Sequence, residues 1–299
     1  AMSVGGSMEL QIDSNILFRC AYTPSRLIQN QKMNQPTPSS TPLHTQNPLG
    51  RFSNRAEDYA HYRPSYPSAA IDCILDGMGP PAELVVADVG AGTGISARLM
   101  AERGVHVWAI EPNAAMRNAA TPHPLIEFCD ATAEKTHLLD QSVDVVLCCQ
   151  SFHWFNKPVA LEEFHRILKP SGRVALVWND RNLDDPFTQA YSEIVSQAAE
   201  RQIFDQGDRK SGSVLKHSPL FTNYRSHTFV HTHKLDLAGL IGLVLSSSYI
   251  PKTGTAYEQL MHDLETLHHQ WSQTSPNGTV SLAYQVNLYL ADRTHSALA

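Results

Sequence analysis

A basic excess is missing from this chain. Its 299 residues carry 23 lysines and arginines against 29 aspartates and glutamates, a formal charge of -6. Little positive charge is available to neutralise a phosphate backbone, which argues against DNA or RNA as a partner. Cysteine is scarce. Five occur, at Cys20, Cys73, Cys129, Cys148 and Cys149. An odd number without metal-like spacing speaks against a disulfide framework or a zinc centre. The last three fall in apolar runs, where a free thiol behaves as a small hydrophobe. A reducing, cytoplasmic setting is the simplest reading. Long hydrophobic runs are lacking as well. No stretch reaches the roughly 20 apolar residues that cross a bilayer, and Leu235 to Ile250 is broken by Asp236 and three serines. No membrane association is expected. The N-terminus as given shows no basic region leading into an apolar core, so a signal peptide is not expected either. The chain has 15 histidines. His231 and His233 would share one side of a strand, but no neighbouring cysteine completes a ligand set. These histidines read as solvated side chains, and no metal is expected.

What is present is an alternation of apolar runs and amphipathic segments. Strands are predicted near 84–89, 105–110, 125–129, 143–149, 173–179, 224–235 and 279–290. Helices are predicted near 94–103, 113–119 and 157–168, with others before Pro64, at 67–78, at 237–245 and at 256–271. Lys169-Pro170-Ser171-Gly172 reads as a turn before the fifth strand. Such alternation implies a doubly wound α/β sheet with helices on both faces. Residues 1–48 form an expected flexible tail, of which 1–7 read as a tag remnant; 22–48 are rich in Pro, Ser, Thr, Gln and Asn. Residues 49–182 form the expected core, led by a helix able to gate it. Residues 183–272 are expected to be mainly helical around a sixth strand, and 273–299 to hold the last strand.

The most informative stretch runs from Val85 to Asn113. An apolar run carrying Asp88 opens into Gly90-Ala91-Gly92-Thr93-Gly94, a helix follows, and a second apolar run ends on Glu111. Gly90 suits a turn closed to other residues, and Gly92 allows close approach of a ligand to the backbone. The free N–H groups of the following helix face the ligand. The spacing is G-x-G-x-G, so the third glycine of the dinucleotide fingerprint G-x-G-x-x-G is missing. Glu111, 21 positions after Gly90, is placed to accept from both hydroxyls of an unphosphorylated ribose.

DVGAGTG followed by AIEPN resembles the first two motifs of the class I S-adenosylmethionine-dependent methyltransferases. FCDATAEK (128–135), VDVVLCCQSFHWFN (143–156) and FHRILKPSGRVALVWNDRN (164–182) resemble the regions that follow. RFSNRAEDYAHYRPSYP (51–67) resembles the N-terminal helix of a small-molecule subgroup that includes the trans-aconitate methyltransferases. The resemblance implies a Rossmann-like seven-stranded, mostly parallel sheet whose last strand is antiparallel, a helical lid, and S-adenosyl-L-methionine as cofactor. The cofactor residues it implies are Tyr59, Arg63, Asp88, Gly90, Ala91, Gly92, Gly94, Glu111, Pro112, Met116, Asp130, Ala131, Gln150 and Ser151. Asp88 would meet the methionine ammonium and Arg63 the carboxylate. Asp130 and the Ala131 N–H would serve adenine, with Met116 on its face. His153 is the candidate general base. Tyr62, His153, Trp154, Trp178 and Tyr249 are candidates for the acceptor pocket.

The expected partner is a small-molecule methyl acceptor with oxygen, nitrogen or carbon as the receiving atom. A nicotinamide-dependent oxidoreductase is the alternative, disfavoured by the missing glycine and by Asp88 directly before the loop. A non-catalytic nucleoside-binding module is the other. The oligomeric state is not legible in the sequence.

Overall fold

The computed structural model describes residues 55–199, 212–273, 275 and 277–294. The tail at 1–48 and the stretch 200–211 lie outside the described residues.

Two short helices come first, α1 (Ala56–Tyr62) and α2 (Ser68–Leu75). Pro64 separates them, because it cannot donate into a continuing helix. Then come β1 (Val85–Val89), α3 (Ile95–Ala101), β2 (His106–Ile110), α4 (Ala114–Asn118), β3 (Ile126–Cys129) and β4 (Val143–Cys149). The chain continues through α5 (Lys157–Ile167), β5 (Leu168–Arg181), α6 (Pro186–Ala198), α7 (Ser213–His217) and β6 (Phe221–Leu235). It closes with α8 (Leu237–Leu245), α9 (Thr255–Ser272) and β7 (Val280–Arg293).

The strands form one seven-stranded sheet ordered β3-β2-β1-β4-β5-β7-β6. β1 to β5 are mutually parallel. β7 inserts antiparallel between β5 and β6. Strands covered on both faces must be apolar throughout, and VDVVLCC in β4 is nearly so. One face packs Ile71, Ile74, Ala97 and Met100 of α2 and α3 against Val86, Val107 and Val145. The opposite face packs Phe164 and Ile167 of α5 against Val146, Leu176 and Trp178. A third cluster gathers Phe187, Tyr191, Leu240, Leu260 and Leu264 of α6, α8 and α9 over Leu282 and Tyr284 of β7.

One expected turn is built differently. Lys169 to Gly172 does not precede the fifth strand but lies within it, as an irregularity: β4 pairs Val143 with Leu168 and then Val145 with Arg173. Pro170 and Ser171 are exposed. Gly172 is pressed against the Lys169 carbonyl, where an added Cβ would stand 2.8 Å away. No helix among the described residues is long and apolar enough to cross a membrane.

The strand order reverses between β1 and β4, whose connections leave to opposite sides. Such a switch point opens a crevice at the carboxyl ends of the strands. The glycine turn after β1, the acid after β2 and the loop after β4 all stand there.

Candidate active site

Gly90 has φ +70°, and a Cβ there would stand 2.5 Å from the Ser151 Cβ. Only glycine fits, because the loop after β4 presses directly on the turn. That loop is anchored by Ser151, whose hydroxyl donates to the Val89 carbonyl at 2.7 Å. Gly90 and Ala91 both donate their N–H to the Ile110 carbonyl, at 2.8 and 3.1 Å. Gly92, at φ +58°, faces the Met116 methyl and the Tyr59 ring, 3.2 and 3.8 Å from where its Cβ would be. Met116 and Tyr59 therefore converge on the glycine turn from α4 and α1. Gly94, with φ +79°, is the N-cap of α3.

Both flanking acids are buried. Asp88 Oδ2 accepts from the Ser96 hydroxyl at 2.6 Å. Its Oδ1 is buried without a partner. Burial, opposed by bonds from Ser96 and the Ala97 N–H, lifts its pKa to about 7. Glu111 accepts from the Gly92 N–H through Oε2 and from the Asn113 N–H through Oε1, both at 2.9 Å. Burial raises its pKa as well. Pro112 carries no N–H, so the first donor after Glu111 is Asn113. The Asn113 side chain caps α4 by accepting from Ala115 and Met116.

Other expected residues stand differently. Asp130 is turned outward: its carboxylate pairs with Arg117 at 3.0 Å and its side chain is 71% exposed. The Ala131 N–H is engaged by the Cys129 carbonyl at 3.0 Å. Arg117 also donates to the Glu111 carbonyl at 2.6 Å, so it ties the ends of β2 and β3 together.

Arg63 caps the end of α1, its guanidinium 4.8 Å from the Tyr59 ring centroid. It donates to the Ser246 carbonyl and the Ser247 hydroxyl at the end of α8, at 3.3 and 3.2 Å. Its Nε is buried without a partner. Arg55 adds bonds to the Leu245 and Ile250 carbonyls, at 2.6 and 2.7 Å. Cations at a helix C-terminus satisfy its free carbonyls, so two arginines pin α1 to α8. Tyr62 lies against the Gly242 backbone of α8, and its carbonyl receives the His233 ring at 3.2 Å.

At the end of β4, Gln150 holds φ +58°, a conformation that costs a non-glycine residue roughly 1–2 kcal/mol. Its N–H donates to the Val177 carbonyl at 2.9 Å. Its side-chain amide donates to the Asn179 carbonyl at 3.1 Å. Strain of this kind collects at functional sites. His153 and Trp154 lie in the turn that follows. Trp178 does not line an open surface. It is fully buried, and its indole N–H donates to His153 Nδ1 at 3.4 Å. A neutral imidazole that accepts at Nδ1 carries its proton at Nε2. The Nδ1 lone pair of His153 is thus turned to Trp178.

Sequence reasoning missed Thr93, Ser96 and Asn179. Thr93 Oγ1 and Asn179 Oδ1 are buried without partners, and Ser96 holds Asp88. Ser96 had a visible signal, since it lies two residues beyond Gly94 in the first turn of α3. Asn179 had a weaker one, as a polar residue ending an apolar strand.

A glycine turn at a switch point, flanked by buried acids on adjacent strands, defines a nucleoside-binding α/β protein. The comparisons sharpen this. A family model described as a methyltransferase domain matches residues 87–176. An uncharacterized methyltransferase of Mycobacterium tuberculosis is 36% identical over 201 residues, which is 66% of this chain and 76% of that protein. A methyltransferase-like protein of Schizosaccharomyces pombe is 27% identical over 253 residues, 82% of this chain and 96% of that one. A solved structure from Anaeromyxobacter dehalogenans, named for type II methyltransferases, superposes with a TM-score of 0.59 at 19% identity. It covers 78% of this chain and all of that one. This chain belongs to the class I, Rossmann-like methyltransferases.

Proposed function

We propose that the enzyme transfers a methyl group from S-adenosyl-L-methionine to a small-molecule acceptor, such as a specialised metabolite, at an oxygen, nitrogen or carbon atom. The observation that carries this reading is a set of buried polar atoms left without partners: Asp88 Oδ1 and Thr93 Oγ1 at the glycine turn, Arg63 Nε at the end of α1 and Asn179 Oδ1 on β5. Buried polar groups are ordinarily paired, so such a cluster calls for a polar ligand. An adenosyl amino acid offers hydroxyls, an ammonium and a carboxylate, which are the complements needed.

Asp88 would accept from the ammonium, and its ionisation is favoured once that cation stands beside it. Glu111 would accept from ribose hydroxyls, using lone pairs left beyond its two backbone donors. Arg63 would meet the carboxylate, and Met116 with Tyr59 would supply apolar surface over the glycine turn. When bound, the cofactor supplies an electrophilic methyl group on a sulfonium, which an acceptor attacks in line while the sulfur leaves as a neutral thioether. Positioning is the protein's main contribution to such a displacement, on the order of 7–11 kcal/mol when reacting groups are held in geometry. The helices α6, α8 and α9 would act as the lid that keeps water out, with α1 docked on α8 as its gate. His153 would donate from Nε2 to the acceptor and so orient it. A setting in the cytoplasm fits this chemistry.

Calorimetry with S-adenosylmethionine, S-adenosylhomocysteine and NAD tests the cofactor. The first two are expected to bind and NAD is not; binding of NAD alone would defeat the reading. A methyl-transfer assay over a metabolite panel tests turnover.

A further inference from the structure

Beyond the cofactor crevice, the antiparallel end of the sheet carries a row of side chains that the mechanism above does not use. Arg181 ends β5 and pairs in register with Tyr284 of β7. Tyr284 pairs in turn with His231 of β6. All three therefore project from one face. It is the face that α6, α8 and α9 cover, since Leu282 and Tyr284 belong to their cluster. From above, Arg181 lies 4.9 Å from the Tyr191 ring centroid. It donates to the Ser192 hydroxyl at 3.2 Å and is hydrogen-bonded to the Tyr249 hydroxyl. As a residue Arg181 is half-buried.

The composition of this cage is unusual. A guanidinium is always charged, and recessed charges normally meet an opposite charge. Among the described residues, no carboxylate forms an ion pair with Arg181. The groups around it are phenols and a serine, which moderate the charge but do not neutralise it. Tyrosine hydroxyls can accept from the guanidinium and donate onward to a ligand. Burial raises the pKa of Tyr191 and Tyr284, and the charges on Arg181 and Arg63 oppose that rise in both.

We infer that Arg181, with Tyr191, Tyr249 and Tyr284, forms an anion subsite that anchors a carboxylate on the methyl acceptor. This deepens the proposed function and rests on it for the word acceptor. One guanidinium balances one carboxylate, and its fork matches the two oxygens. A phosphate, at about -1.5 to -2 near neutral pH, would leave excess charge in the cage. Arg181 is distinct from the residues given to the cofactor. It stands on β5, and one strand, β4, separates it in the sheet from β1 with its glycine turn.

The test uses the full chain and simple probes: acetate, benzoate and succinate, each against its primary amide, with inorganic phosphate alongside. Binding is read by NMR titration or thermal shift, with and without S-adenosylhomocysteine. The carboxylates are expected to bind and the amides not. Arg181→Gln should weaken the carboxylates by about tenfold or more, the worth of one charge-assisted bidentate contact, and leave S-adenosylhomocysteine affinity unchanged. Arg181→Lys keeps the charge and loses the fork, so an intermediate loss is expected; it also serves if Arg181→Gln does not fold. Equal binding of carboxylate and amide, tighter binding of phosphate, or carboxylate affinity unchanged in the variants would overturn the inference. So would a loss of S-adenosylhomocysteine affinity in Arg181→Gln, which would give Arg181 to the cofactor. The titrations without S-adenosylhomocysteine judge the subsite alone, so a wild-type chain that bound no S-adenosylhomocysteine would defeat the cofactor reading separately.

Discussion

Replacing Asp88 by asparagine is expected to move stability and cofactor affinity in opposite directions. The carboxyl is fully buried, and burial lifts its pKa from the ordinary 3.8 to about 7. Between those two pH values the native state binds more protons than the unfolded chain. Stability therefore falls as pH rises through this window, the reverse of the usual salt-bridged aspartate. At roughly 1.4 kcal/mol for each tenfold in proton affinity, the whole window is worth about 4 kcal/mol. Asparagine stays neutral throughout. Its amide oxygen can take the bond from Ser96 that Oδ2 now accepts at 2.6 Å, although its NH2 group is left in place of the unpartnered Oδ1. That amide cost does not change with pH. The stability difference between variant and wild type should thus shift in favour of the variant by about 3 kcal/mol from pH 5 to pH 8. Urea unfolding at the two pH values, without ligand, measures it. A difference that stays constant, or moves the other way, would refute the burial argument. Affinity should do the opposite. The variant loses a charge-assisted bond to the ammonium, about 1.5–3 kcal/mol, or roughly 10- to 100-fold in S-adenosylhomocysteine affinity at pH 8. Undiminished affinity would take Asp88 out of the cofactor site.

Three further substitutions probe other parts of the site. Glu111→Ala removes the acceptor of the Gly92 and Asn113 N–H groups and should weaken S-adenosylhomocysteine by at least about tenfold in calorimetry; unchanged affinity would end the ribose assignment. Gly90→Ala places a Cβ 2.5 Å from that of Ser151 at φ +70°, and should cost about 2–4 kcal/mol in urea unfolding; a fully stable variant would mean that the loop yields. His153→Ala should leave cofactor affinity intact and slow transfer by about tenfold, whereas His153→Gln, which retains a donor, should recover most of the rate. Equal losses in the two would instead favour His153 as a base.

Much of the core was legible because its physics is local. A strand buried on both faces has to be a continuous apolar run, and β4 occupies the span 143–149 read from the sequence. Asn113 and Asp236 mark the starts of α4 and α8, where each accepts from the first-turn N–H groups. Strand ends were less legible where edge or polar residues pair. β6 starts at Phe221 rather than near 224, past a register irregularity between Thr222 and Arg225. The irregularity includes Asn223 at φ +51°. The β5 irregularity escaped for a related reason: Lys169 to Gly172 has turn chemistry, and only the partner strand shows that pairing resumes on both sides of it.

The site divides along the same line. The glycine turn, Asp88 and Glu111 lie within one contiguous β-α-β unit, so spacing alone could bring them together. Side-chain direction could not be read that way. Asp130 follows β3 as expected, yet Arg117, thirteen residues earlier, turns its carboxylate outward. Trp178 is next to Asn179 in sequence and on the opposite face of β5, so one feeds the His153 contact and the other faces the Ser65 carbonyl. The Arg181, Tyr284 and His231 row lies furthest from sequence reading. It exists only because β7 inserts between β5 and β6, and a one-residue slip in either antiparallel register would turn Tyr284 to the other face. The residues proposed for the acceptor are therefore fixed by the part of the sheet whose pairing is least local, while those proposed for the cofactor are fixed by the part that is most local. This is the physical reason a single sequence speaks clearly about the cofactor and so little about the acceptor.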